Sequence, residues 1–155
     1  MNTTIYTGRE TNWFSISISG LLLIPLIVLP FPSESSPSTL GLMMTLALVG
    51  FLAEVITASD VRATCGPRGV AVNWGLLGWP RARYALEEIQ DAWVVDVPWR
   101  SVSYGFWWTP SRTICTVRRG PALRLQLLSG RTVTITVPDP REALTALEAN
   151  GLVRN

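Results

Sequence analysis

The chain contains no histidine and no lysine. Without histidine it lacks the commonest general base and the commonest metal ligand. The sequence also lacks metal-ligand spacing and a glycine-rich phosphate loop, so it reads as a non-enzyme with no catalytic residue, no metal and no cofactor. Cysteine is scarce. Cys65 and Cys115 are the only two, with neither CxxC nor zinc spacing, and in a reducing compartment they should be free thiols. Cys65 is no lipoprotein acceptor, because Arg62 and Thr64 spoil the site before it. The first apolar run has no small-x-small site after it to mark a cleavable signal. Charge is sparse, at 15% of 155 residues, and every one of the thirteen basic residues is arginine. That basic surplus is small and scattered, which argues against a nucleic-acid partner.

Two long apolar runs are present, Trp13–Pro32 and Leu40–Ser59, with Glu54 the one ionisable residue inside either. Each is close to the roughly 20 residues a helix needs to cross a bilayer. The expectation is a transmembrane helical hairpin over residues 13–59, following an N-terminal tail at 1–12. A polar link at Ser33–Thr39 would make the two helices antiparallel neighbours. The link has no arginine, whereas Arg9 precedes the hairpin and Arg62, Arg68, Arg81 and Arg83 follow it. This asymmetry predicts a multi-pass protein of the cell membrane with both termini cytoplasmic, and Trp13 and Phe14 at the inner interface. Ser15 and Ser19 are four apart on one helix face. They lie at a depth similar to that of Glu54, and the expectation is a hydrogen bond from one of them to this carboxylate, or a contact of Glu54 with a partner subunit. Gly41 with Thr45, and Gly50 with Ala53 and Thr57, lie near helical spacing and would let backbones approach closely.

Residues 60–155 have a different character. Up to Asp60 one arginine stands against four carboxylates; beyond it twelve stand against seven. Such a basic surplus suits a surface beside anionic lipid headgroups. Period-two alternation predicts strands at Val61–Cys65, Val70–Trp74, Arg81–Leu86, Ile89–Val97, Thr113–Arg118, Ala122–Leu128 and Thr132–Val137. Pro98–Arg112 reads as a long irregular loop. The period then changes. Asp139 is placed to cap a helix, Pro140 to open it, and Asn150-Gly151 to end it, with Ala143, Leu144 and Leu147 as its apolar stripe. The architecture expected is α+β: the hairpin, then a seven-stranded β-barrel or sandwich with a C-terminal helix.

The stretch Gly75-Leu-Leu-Gly-Trp-Pro-Arg-Ala-Arg-Tyr-Ala-Leu-Glu-Glu-Ile89 carries a resemblance. Val94–Val97, Gly120–Leu125, Ser129-Gly-Arg131 and Val137-x-Asp-Pro140 extend it. Over roughly residues 60–150 the chain resembles the bacterial pleckstrin-homology-like domains of small actinobacterial membrane proteins. The resemblance implies a PH-like fold beside transmembrane helices and no catalytic residue. Its motifs are turn and packing residues, which specify fold more than chemistry.

Six of the fourteen aromatic residues fall between Trp93 and Trp108. Trp93 alternates within a strand and reads as core. Trp99, Arg100, Tyr104, Phe106, Trp107 and Trp108 suit a headgroup layer, a protein interface, or in part the end of the core. Trp107 and Trp108 are adjacent and cannot both face the core of a regular strand. Arg118, Arg119 and Arg131 lie in turns, where they could meet phosphate or headgroups or remain solvated. The function expected is a non-enzymatic, membrane-anchored binding or scaffold module at the cytoplasmic face. Its partners would be membrane lipids, and a membrane protein or further copies of itself. The alternative is an accessory subunit of a larger respiratory or transport membrane complex.

Overall fold

The computed structural model describes residues 4–28 and 37–152. Its first sheet is antiparallel and runs β1 (Tyr6–Thr11), β2 (Asp60–Gly66), β3 (Gly69–Trp74), β4 (Arg81–Tyr84), in that spatial order. The β2–β3 hairpin turns through Pro67-Arg68, closed by Gly66 opposite Gly69. Gly69 is needed there. Its φ of 95° is left-handed, and a Cβ would collide with the carbonyl oxygen of Tyr84.

The second sheet contains β5 (Ile89–Val97), β6 (Gly105–Trp108), β7 (Arg112–Thr116), β8 (Gly120–Leu127) and β9 (Thr132–Ile135). Its order is β5-β8-β9-β7-β6, antiparallel except for the β7–β9 pair. Alternation assigns the faces. Leu123, Leu125, Val133, Ile135 and Cys115 join Val61, Ala63, Val70, Val72 and Trp74 of the first sheet in one core. Each of the larger side chains stabilises the fold by about 1.5–3 kcal/mol through burial. On the opposite face of the second sheet, Val102 and Tyr104 of the β5–β6 connection pack over Val95, Val97 and Ala122.

The helix α3 spans Pro140–Ala149. Asp139 caps it, its Oδ1 accepting from the N–H groups of Arg141 (2.9 Å) and Glu142 (3.0 Å). Ala143, Ala146 and Leu147 face inward, and the helix packs across β1, β2, β5 and β8. It also fixes β1: the Asp139 N–H donates to the Tyr6 hydroxyl (3.0 Å), and Asn150 Nδ2 donates to the Thr4 carbonyl (2.6 Å).

The helices α1 (Trp13–Val28) and α2 (Pro37–Ala58) are an insertion between β1 and β2. The chain leaves β1 across Asn12 and returns to β2 across Ser59, with Thr11 and Asp60 register partners at the sheet's end. The two helices pack against each other. Most of the expected Ser33–Thr39 link lies outside the described residues.

Two expectations are corrected. First, among the described residues no helix is long and apolar enough to cross a membrane. The 16 residues of α1 rise about 24 Å, short of a hydrocarbon core of roughly 30 Å. The longer α2 opens on Pro37-Ser38-Thr39 and carries Glu54 within its apolar run. The transmembrane hairpin is withdrawn. The multi-pass membrane location and the cytoplasmic placement of the termini, which rested on it, go with it. Second, the seven-stranded PH-like barrel gives way to two sheets of four and five strands with no closed barrel. Strands form at all seven expected places, and two more join them. The segment expected as a tail supplies β1, and the segment expected as an irregular loop supplies β6.

Candidate functional site

The base of the hairpin is stitched to the strands by a buried asparagine. Asn12 has no exposed surface, and its N–H donates to the Ser59 carbonyl (2.8 Å). Its Oδ1 accepts from the Ser15 N–H (3.2 Å), capping α1, and its Nδ2 donates to the Tyr104 carbonyl (2.9 Å). Tyr104 holds a left-handed φ of 48°, unusual for a bulky residue, and its ring stacks on Phe14 with centroids 4.1 Å apart. On the other side of the base, the Leu76 N–H donates to the Ile56 carbonyl (2.9 Å) and the Gly75 N–H to the Asp60 carbonyl (2.8 Å). Asp60 is buried and paired with Arg9 (2.6 Å) and Arg62 (3.4 Å). The hairpin therefore leaves the body in a defined direction.

Its polarity is inside-out. Glu54 of α2 accepts hydrogen bonds from both Ser15 and Ser19 of α1, so the one carboxylate lies at the seam between the helices. The outer surface is apolar. Leu21 and Ile24 of α1 and Leu42, Leu46, Val49 and Leu52 of α2 are all exposed. Every residue from Gly41 to Leu46 is exposed, and at 3.6 residues per turn that stretch passes right round the helix. Gly41 and Gly50 face open space, so these small residues do not serve packing within the hairpin.

The body continues this apolar surface. In the β3–β4 connection, Leu76, Leu77 and Trp79 are exposed beside the hairpin base, and Trp13 is exposed at the start of α1. The sequence placed Leu76, Leu77 and Trp79 only in a turn motif. The signal that could have marked them was three large apolar residues in a segment too short to bury them.

The tryptophan segment divides. Phe106 packs on the core, edge-on to the buried Trp74 at 6.1 Å. Trp107 and Trp108 are both exposed, at 62% and 59%, as is Trp99. Arg100 lies over the Trp99 ring (5.2 Å) and Arg131 over Trp108 (5.4 Å). Trp93 is half-buried rather than core, because its neighbour Ala92 takes the inward position beside Leu125.

The turn arginines are not gathered into one patch. Arg118 is tied to Glu10 (2.8 Å) and to the Val137 carbonyl (3.3 Å). Arg131 donates to Thr113 Oγ1 (2.9 Å), while Arg119 is exposed. Both cysteines are buried free thiols. Burial pushes each up to about 12, opposed at Cys115 by the Trp74 indole. No family model matches the chain, and no curated protein matches it.

Proposed function

We propose that the chain is a non-enzymatic subunit of a larger protein assembly, with the α1–α2 hairpin buried among apolar helices of a partner protein. The observation that carries this reading is the inside-out hairpin. Its carboxylate and two hydroxyls face each other, and its apolar side chains face outward along α1 and all round the Gly41–Leu46 stretch of α2. A helix that is apolar all round belongs in an apolar interior. Exposed apolar surface of this extent marks an interaction site. A single second copy would cover one side of the hairpin and leave the others bare, so a multi-helix partner fits better. The outward Gly41 and Gly50 suit close approach of partner backbone. At the base, the exposed Leu76, Leu77 and Trp79 extend the contact onto the strands, and the locked junction at Asn12 holds hairpin and body as one docking unit.

The test is site-specific photo-crosslinking of the full chain in its own cells. The crosslinking side chain is placed at Leu21, at Leu46 and, as a solvated control, at Glu87. The expected result is discrete adducts with another polypeptide from both helices and none from Glu87. A reciprocal crosslinker on that polypeptide's helix should return this chain. Adducts only with a second copy, only with lipid, or none at all would overturn the proposal.

A further inference from the structure

The second sheet carries a cleft of about 310 Å³ on the face away from the core, beside the chain that follows β5. That volume is at the small end of the range for small-molecule sites. The strand register explains its lining. Arg124, Thr134 and Ile114 are neighbours in one cross-strand row, and Thr132 and Arg112 in the next. Ser101 contributes a further hydroxyl from the wall.

Two arginines of this cleft carry charge that no ion pair among the described residues neutralises. Arg9, Arg62 and Arg118 are in ion pairs, and Arg131 is held by Thr113 and Trp108. Among the described residues Arg112 and Arg124 form no ion pair, and Arg124 Nε donates only to the Thr134 hydroxyl (3.1 Å). Asp96 borders the cleft from β5, but it sits between Val95 and Val97, which face the cleft side, so strand alternation turns its carboxylate to the opposite face. The cleft is thus cationic and hydroxyl-lined, with apolar surface along Ile114 and Val97.

We propose that this cleft binds a small phosphate monoester. The guanidinium groups of Arg112 and Arg124 take the phosphate, for which their planar forks are suited. The hydroxyls of Thr132 and Ser101 donate to its remaining oxygens. The carbon skeleton of the ligand lies on Ile114. A soluble polyol phosphate and a phospholipid headgroup share this chemistry. The inference is independent of how the hairpin is covered.

The test titrates the full chain with glycerol 3-phosphate and with inorganic phosphate by calorimetry. In parallel, co-sedimentation is measured with phosphatidylglycerol and phosphatidylcholine vesicles. The expected result is saturable binding of glycerol 3-phosphate, weakened at least about tenfold in R112Q and in R124Q, the scale of one charge-assisted hydrogen bond. It should be unchanged in R68Q, in an exposed turn of the other sheet. Arginine-dependent binding of free ester identifies a soluble ligand. The same dependence seen only on phosphatidylglycerol vesicles identifies a headgroup. Melting temperatures confirm folding, and R124K, which keeps the charge without the fork, should bind between wild type and R124Q. No saturable binding to any probe, or equal losses in R68Q, would overturn the proposal.

Discussion

Replacing Asn12 by alanine should loosen the joint between hairpin and strands. Asn12 is fully buried and does two separable things through its side chain. As a cap it satisfies the Ser15 N–H, and loss of such a cap costs about 0.5–2 kcal/mol. As a donor it satisfies the Tyr104 carbonyl, and leaving that oxygen unpaired costs about 1–3 kcal/mol. The two losses together come to about 1.5–5 kcal/mol for N12A, measured as the shift in equilibrium urea unfolding of the full chain followed by tryptophan emission. N12S separates them. Serine caps well but is too short to reach Tyr104, so it should recover the capping share and lose only about 1–3 kcal/mol. The left-handed Tyr104 relies on the same bond, so N12A should also disturb the Phe14–Tyr104 stack and the near-ultraviolet circular dichroism. A loss below about 0.5 kcal/mol in N12A, or identical losses in N12A and N12S, would refute this account of the joint.

Alkaline pH should destabilise the core. Cys65 and Cys115 keep their protons in the fold up to about 12, whereas the unfolded thiols release theirs near 9.0. The folded state then binds more protons than the unfolded one, so stability falls as pH rises from about 9 towards about 12 and is unaffected well below 9. The loss reaches about 1.4 kcal/mol per thiol at pH 10. Urea midpoints at pH 7, 9 and 10 should fall more steeply for wild type than for C65A/C115A, and equal slopes would count against the idea. Removing both hydroxyls in S15A/S19A should disturb the hairpin more than E54Q does, because it leaves the carboxylate without its partners among apolar side chains; helical circular dichroism on heating ranks the two. G69A should cost more than the roughly 1 kcal/mol of a simple glycine effect, since the new Cβ meets the Tyr84 carbonyl, and thermal unfolding reads it. L125A, in the centre of β8, should cost about 2–5 kcal/mol in the same measurement.

Where a local pattern decided the outcome, the sequence was sufficient. Leu123-Arg-Leu-Gln-Leu127 alternates without interruption and forms β8, and Asp139-Pro140 with Asn150-Gly151 brackets α3. The four-residue spacing put Ser15 and Ser19 on one helix face, and both, where one was expected, donate to Glu54. Where the decision was tertiary, the sequence was silent or misleading. Tyr6–Thr11 is mostly polar and has little strand character of its own. It becomes β1 because the β2 edge, Tyr6 in the core and the Glu10–Arg118 pair hold it there. Trp93 lost the core position to Ala92, which fits beside Leu125 where an indole does not. The apolar runs suggested spans because hydropathy counts residues, whereas among the described residues no helix is long and apolar enough to cross a membrane. The arginine cleft draws on β7, β8 and β9, which are neighbours only through a parallel pairing that no sequence period announces.

The register that sets Thr11 beside Asp60 also orders events during folding. That strand pair cannot close until the whole intervening segment has returned, and closing a long flexible loop costs entropy that grows with its length. A formed helix pair brings its own ends together and removes most of that cost. Closing the pair therefore costs least in a chain whose hairpin has formed, and Tyr6 enters the core with β1. A newly made chain whose hairpin has not formed presents the bare edge of β2, a template for pairing with other chains. Completion of the hairpin thus becomes a checkpoint for the body: the chains most prone to aggregate, and most open to proteolysis, are those still waiting for their first strand.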